Sequence, residues 1–219
     1  MKALKFLKVD WLRCKSQLRV MAILPLIAIA LVFGGMDNEL FINAYVVFGA
    51  IIFSTQPFTM ESASESGFIN MLPGTKRDRV TGRYLFALAL TLFSVLVGVI
   101  AVSIYDIYKD TSLEPVMSVS CILFGCAMVI CSLQYVLFYS IGKGKSNQMM
   151  AIIRMIPSFV MFFLGTYLSD WIKSGDGTNL EWVLEREVEL SLLCVLVGLF
   201  VFFVGISVSS RIIEHKDFA

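Results

Sequence analysis

His215 is the one histidine in 219 residues, so a zinc site of the His-Glu-x-x-His type cannot be assembled from this chain. No serine stands in the Gly-x-Ser-x-Gly setting of a nucleophile elbow. Gly142, Lys143, Gly144, Lys145 and Ser146 imitate the end of a phosphate loop. That loop needs a further glycine five residues before Gly144, where Tyr139 stands inside an apolar run. Cys121, Cys126 and Cys131 step by five, about 140° apart around a helix, and share no face. With Cys14 and Cys194 they read as packing residues rather than disulfides. The spacing that does suggest chemistry begins at Glu61 and Glu65, one helical turn apart. Phe68, Met71 and Leu72 follow, then Pro73 and Gly74 as a stop, then Lys76 and Arg77. Acids and apolar side chains on one short helix suit recognition of another chain, by charge and by burial, rather than catalysis.

The elements that must position this stretch are membrane spans. Apolar residues make up 58% of the chain and charged residues 16%, outside the balance of soluble domains. Six long apolar segments, near 20–34, 40–59, 84–105, 116–141, 149–171 and 188–210, leave seven polar pieces. Fifteen of the eighteen Lys and Arg residues lie in the odd-numbered pieces or, for Arg154, just inside the next span. Lys109, Lys173 and Arg186 are the three in the even pieces. Such a bias places both termini and the 60–83 loop in the cytoplasm of a multi-pass membrane protein. The spans and short connections use almost the whole of 1–219, leaving no room for a soluble catalytic domain. The basic start followed by an apolar run imitates a secretory signal but lacks a small-residue cleavage pattern.

Three polar pieces carry more than topology. Within 1–19, Leu4, Leu7, Trp11, Cys14 and Leu18 recur at three- and four-residue steps among six cations, the pattern of an amphipathic helix in the inner leaflet surface. Anchoring to membrane lipids is its simplest role, and a lever touching a cytoplasmic partner is the sharper one. Residues 61–73 read as a capped amphipathic helix, more than a basic inside loop requires. In 170–189, Trp171 and Trp182 suit the membrane interface, and Leu180, Val183, Leu184 and Val188 form an apolar face, as in a helix that dips into the outer surface. Pro57 reads as the end of the second span. Gln134 and Tyr139 are expected to face protein. Carboxylates near the bilayer middle, which ion-coupled transporters need, are missing.

The run Glu65 to Tyr84, with an acid, Ser66-Gly67, Leu72-Pro73, then Lys76, Arg77 and Val80, resembles the membrane subunits of ATP-binding-cassette exporters of the type-two permease family. Many relatives have Leu-Pro-Val-Ser-Arg where this chain has Leu72, Pro73, Gly74, Thr75 and Lys76. The resemblance implies an all-α membrane protein of six transmembrane helices, with 1–19 as connecting helix, 61–73 as coupling helix and 170–189 as an outer re-entrant segment. It implies that Glu61, Glu65, Phe68, Met71, Leu72, Lys76 and Arg77 meet a separate nucleotide-binding ATPase. ATP and Mg would be bound there, and this chain would carry no cofactor and bind no nucleic acid. In length and loop pattern it is similar to the small permeases of bacterial peptide exporters, those of phenol-soluble modulins among them. Pairing with a second copy or a sister permease, in a bacterial cell membrane, and export of an amphipathic peptide or antimicrobial follow as expectations. Gly98, Gly125, Gly198 and Gly205 are candidate close-contact points, and spans one and five the candidate seam. The competing reading is a non-transporting immunity or sensor protein that sequesters a peptide.

Overall fold

The computed structural model describes residues 2–21, 39–60, 74–109, 114–141, 151–157 and 186–215, together with 23, 25–27, 30, 159–160, 163 and 167. The side chains of 18, 21, 39–42, 105–109, 114–116 and 187 are outside the description, as are most of the first and fifth expected spans. The helices are α1 (Lys2–Met21), α2 (Glu39–Ser54), α3 (Gln56–Thr59), α4 (Lys76–Lys109), α5 (Glu114–Ile141) and α6 (Glu187–His215). No strand occurs among the described residues. Among the described residues, three helical stretches are long and apolar enough to cross a membrane: Lys76–Ile104, Met117–Ile141 and Val188–His215.

Side-chain chemistry explains where these helices begin and break. Thr75 and Asp78 cap α4 reciprocally, Thr75 N donating to Asp78 Oδ2 at 2.9 Å and Asp78 N to Thr75 Oγ1 at 3.1 Å. The second expected span, 40–59, is divided. It runs as α2 to Ser54, turns at Thr55, and resumes for one turn as α3, with Pro57 in that first turn. Hydroxyls take up carbonyls around the break: Ser54 Oγ donates to Ile51 O at 2.7 Å and Thr55 Oγ1 to Ile52 O at 2.8 Å. Gln56, Pro57 and Phe58 are buried, so Pro57 sits inside the protein rather than at a simple helix end.

Contacts between helices give their directions. Asn43 Nδ2 donates to Ser120 Oγ at 2.5 Å and Tyr135 Oη to Ser54 O at 2.6 Å, so α2 and α5 run parallel. Gly125 meets Gly198 and Ser132 Oγ donates to Val201 O at 3.1 Å, so α5 and α6 are parallel too. Tyr84 at the start of α4 reaches Ser209 near the end of α6 at 2.9 Å, which makes α4 antiparallel to the others. α2, α5 and α6 thus run one way and α4 the other. The core lies around α5, where Met128, Cys131, Gln134 and Tyr135 are fully buried.

The four glycines meet residues of their own chain: Gly98 lies against Asn43, Gly125 against Cys194, Gly198 against Gly125, and Gly205 against Ser132 and Tyr84. They serve packing within one copy. A Cβ on Gly198 would stand 2.5 to 2.9 Å from the backbone of Gly125, which no rotamer change relieves. Gly198→Ala should therefore cost about 1–3 kcal/mol, read as a lower SDS-unfolding midpoint of the purified protein. Leu196→Ala on the exposed apolar face of α6, where Leu196 is 60% exposed, should leave that midpoint nearly unchanged.

Candidate functional site

α1 meets the rest of the protein along a face that hydropathy alone does not select. Phe6 and Cys14 are buried, and between them lies Asp10, only 4% exposed. The helices approach closely because position 82 is glycine: a Cβ there would stand 2.7 Å from Phe6 Cβ and 2.8 Å from Ala3 O. One turn farther along α1, Asp10 Oδ2 lies 3.7 Å from Arg83 Nε, an ion pair whose two side chains are 6% and 3% exposed. Beyond it Trp11 meets Phe86 edge to face, with ring centres 6.2 Å apart, and Cys14 packs with Ala50, Phe86 and Leu90.

Arg83 faces an aromatic cluster as well as a carboxylate. Its guanidinium carbon stands 4.5 Å from the centre of the Phe58 ring in α3, a contact worth about 2 kcal/mol where water is excluded. Phe58 in turn stacks on Phe138 at 4.8 Å and meets Tyr135 and Tyr139 edge to face at 4.9 and 5.1 Å. Tyr84, next to Arg83, contacts Tyr135 and Phe202 at 4.9 and 5.0 Å. A charge pair is thus set in an aromatic wall built from α3, α4, α5 and α6. Such a set holds a geometry, fixing α1, α3 and α4 against α5 and α6 through an ion pair, a cation–ring contact and ring packing.

Its position gives it meaning. Residues 61–73, with Glu61, Glu65, Phe68, Met71 and Leu72, lie outside the described residues, but one flank of that segment enters this cluster through Phe58 and the other lies against α1. Phe58 and Met60 precede it, Met60 packing on the Cys14 group. Gly74 follows it, where a Cβ would stand 2.6 Å from the Phe6 ring. Lys76 and Arg77 are exposed; Lys76 Nζ donates to Ile213 O of α6 at 3.5 Å, while Arg77 O accepts from Thr81 Oγ1 at 2.9 Å.

The expected α1 stripe is divided between two surroundings. Leu4 and Trp11 are 52% and 42% exposed, Leu7 is half-buried, Cys14 is buried, and the Leu18 side chain is outside the described residues. Trp171 and Trp182 are outside them also. Sequence reasoning missed Asp10 and counted Arg83 among the loop cations. The available signal was Asp10 itself, the one acid among the six cations of 1–19.

Over residues 7–214 the chain matches the sequence model of the family described as ABC-2 family transporter protein. No curated protein and no solved structure gives a significant match.

Removing one member of a buried pair strands the other charge, at about 3–5 kcal/mol, whereas replacing both by apolar residues of similar volume is close to neutral. Asp10→Leu and Arg83→Met should each sharply reduce the monodisperse fraction on size-exclusion chromatography, and the double variant should restore most of it. Burial, with Asp10 adding to it, pushes the Cys14 thiol up from 9.0 to about 11. At pH 8 that lowers its thiolate share about a hundredfold. The peptide bearing Cys14 should resist maleimide in the folded protein and react promptly in SDS, as mass spectrometry would detect.

Proposed function

Because the chain belongs to the ABC-2 family of transporter proteins, we propose that it is the permease subunit of an ATP-driven bacterial exporter of amphipathic peptides. The family is one of multi-pass membrane proteins and implies a partner ATPase subunit, catalysis normally residing in that partner. In this reading the end of the bundle bearing α1 and the start of α4 is cytoplasmic, and 61–73 docks on the ATPase. The observation that carries the proposal is the buried Asp10–Arg83–Phe58 cluster, to which one flank of that segment belongs through Phe58, while the other flank lies against Phe6 of α1 at Gly74.

A docking helix transmits motion only if its ends are fixed to something that moves as a unit. Here Phe58 ties one end to α5 through three aromatic contacts, and Gly74 ties the other to α1 through Phe6. Displacement of 61–73 by closing ATPases would be passed to α2, α4 and α1 together. The outer 170–189 segment would part in response. Two such permeases, identical or sister chains, would complete the route. An amphipathic cargo is favoured because the spans carry apolar and aromatic side chains and no carboxylate pair suited to an ion.

Phe68 and Leu72 would each bury against the ATPase, at roughly 1.5–3 kcal/mol apiece. Phe68→Asp with Leu72→Asp should abolish co-purification of the ATPase while membrane insertion persists; retained co-purification overturns the docking role. With a catalytically dead ATPase the complex should assemble yet leave cells as sensitive to amphipathic peptides as cells lacking it. Equal protection by the dead complex would instead identify a sequestering immunity protein.

A further inference from the structure

Gln134, in the middle of the buried face of α5, is fully buried, and its amide points at backbone rather than at another side chain. Nε2 donates to Ile153 O at 3.3 Å and to Arg154 O at 3.1 Å. Residues 151–157 are helical, Pro157 among them, and 159–160 are helical too. In a helix the carbonyl of Ile153 takes its hydrogen bond from the backbone nitrogen of residue 157, four positions on. Proline has no N–H to give, and its ring presses on that same carbonyl. A carbonyl left without a donor in an apolar, water-poor interior is costly. Gln134 supplies the missing donor from a different helix.

Two carbonyl acceptors fix which end of the amide is the NH2 group. The other end, Oε1, has no hydrogen-bond partner although it is buried. A glutamine that leaves its own oxygen unpaired is an expensive way to fill space, since methionine or leucine would pack at no such cost. Its donor end is therefore what the position uses.

We propose that Pro157 makes the helix through 151–157 a hinge and that Gln134 is the positioning residue that latches it in the conformation seen here. With the latch engaged, the carbonyls of Ile153 and Arg154 are satisfied through α5. With it released, the Ile153 carbonyl has neither the Gln134 amide nor a proline N–H as donor, and the turn from Ile153 to Pro157 loses this tie to α5. The same carbonyl thus gives both flexibility and a defined resting position.

The latch and ordinary packing are separated by a double-mutant cycle on the full-length protein. Gln134→Met keeps volume and removes the donor; Pro157→Ala restores the backbone N–H to Ile153 O. Membrane hydrogen bonds are individually modest, so Q134M alone should shift the SDS-unfolding equilibrium about three- to tenfold toward the unfolded form. In the P157A background the same change should shift it less than twofold. Equal losses in both backgrounds, or none in either, would overturn the latch. A second readout concerns the hinge and rests on the permease reading: with the active ATPase bound, P157A should leave assembly intact and reduce peptide protection at least fivefold. Full protection by P157A would overturn the hinge. The unfolding cycle requires no partner, so its failure is distinguishable from failure of the transport reading.

Discussion

Asp10 and Arg83 are taken out of water together, and much else at that end of the molecule follows from keeping them paired. Desolvating two charges is tolerable only where geometry and neighbours compensate. Arg83 therefore has a carboxylate near Nε and an aromatic face against its guanidinium carbon. Both conditions constrain other elements. The carboxylate requires α1 to lie against α4, which Gly82 permits by offering backbone instead of a side chain. The aromatic face requires Phe58 to be held inward, which the break at Thr55 and the turn of α3 achieve. A helix that composition would assign to the membrane surface thereby becomes part of the protein's packed interior on one side while Leu4, Trp11 and Leu12 stay exposed on the other.

Backbone satisfaction is the second recurring constraint. At several irregularities a side chain takes up backbone groups: Ser54 and Thr55 do so at the end of α2, and Thr75 and Asp78 cap α4. Gln134 extends this across helices, serving the carbonyl that Pro157 cannot. Hydroxyls bonded within their own turn make a fixed shape, since donor and acceptor travel together. A donor from another helix makes a separable contact. The sequence distance is three residues for Ser54 and nineteen for Gln134, so the first bond is local to its turn and the second joins two helices.

α5 holds the described helices together because it presents small or polar groups to three neighbours. Ser120 faces Asn43 of α2, Gly125 faces Gly198 of α6, and Tyr135 reaches both the end of α2 and Tyr84 of α4. In a membrane, apolar side chains gain little by leaving lipid for protein, so close backbone approach and buried hydrogen bonds carry the association. The large apolar residues of α6, among them Leu192, Leu196, Phe200 and Phe203, are left on the exposed side.

Hydropathy and charge bias suffice to place the chain in the membrane class and to locate the helices that became α4, α5 and α6, because a bilayer imposes length and apolarity on each span separately. The pattern from Glu65 to Tyr84 could suggest the family because it is local and contiguous, while the family match itself extends over residues 7–214. The partners of the buried polar residues were not legible. Arg83 counts toward the inside charge bias whether it is solvated or paired, and nothing in 1–19 says that Asp10 faces α4 rather than water. Gly125 and Gly198 read as contact points in general, but whether they join two copies or two helices of one copy depends on α5 and α6 running side by side. Pro157 announces an unpaired carbonyl, while the donor that finds it lies on a different helix. Single-helix properties are written in one dimension; which residues meet across helices is decided by packing, where a 3.7 Å ion pair or a glycine crossing exists only once the chain is folded.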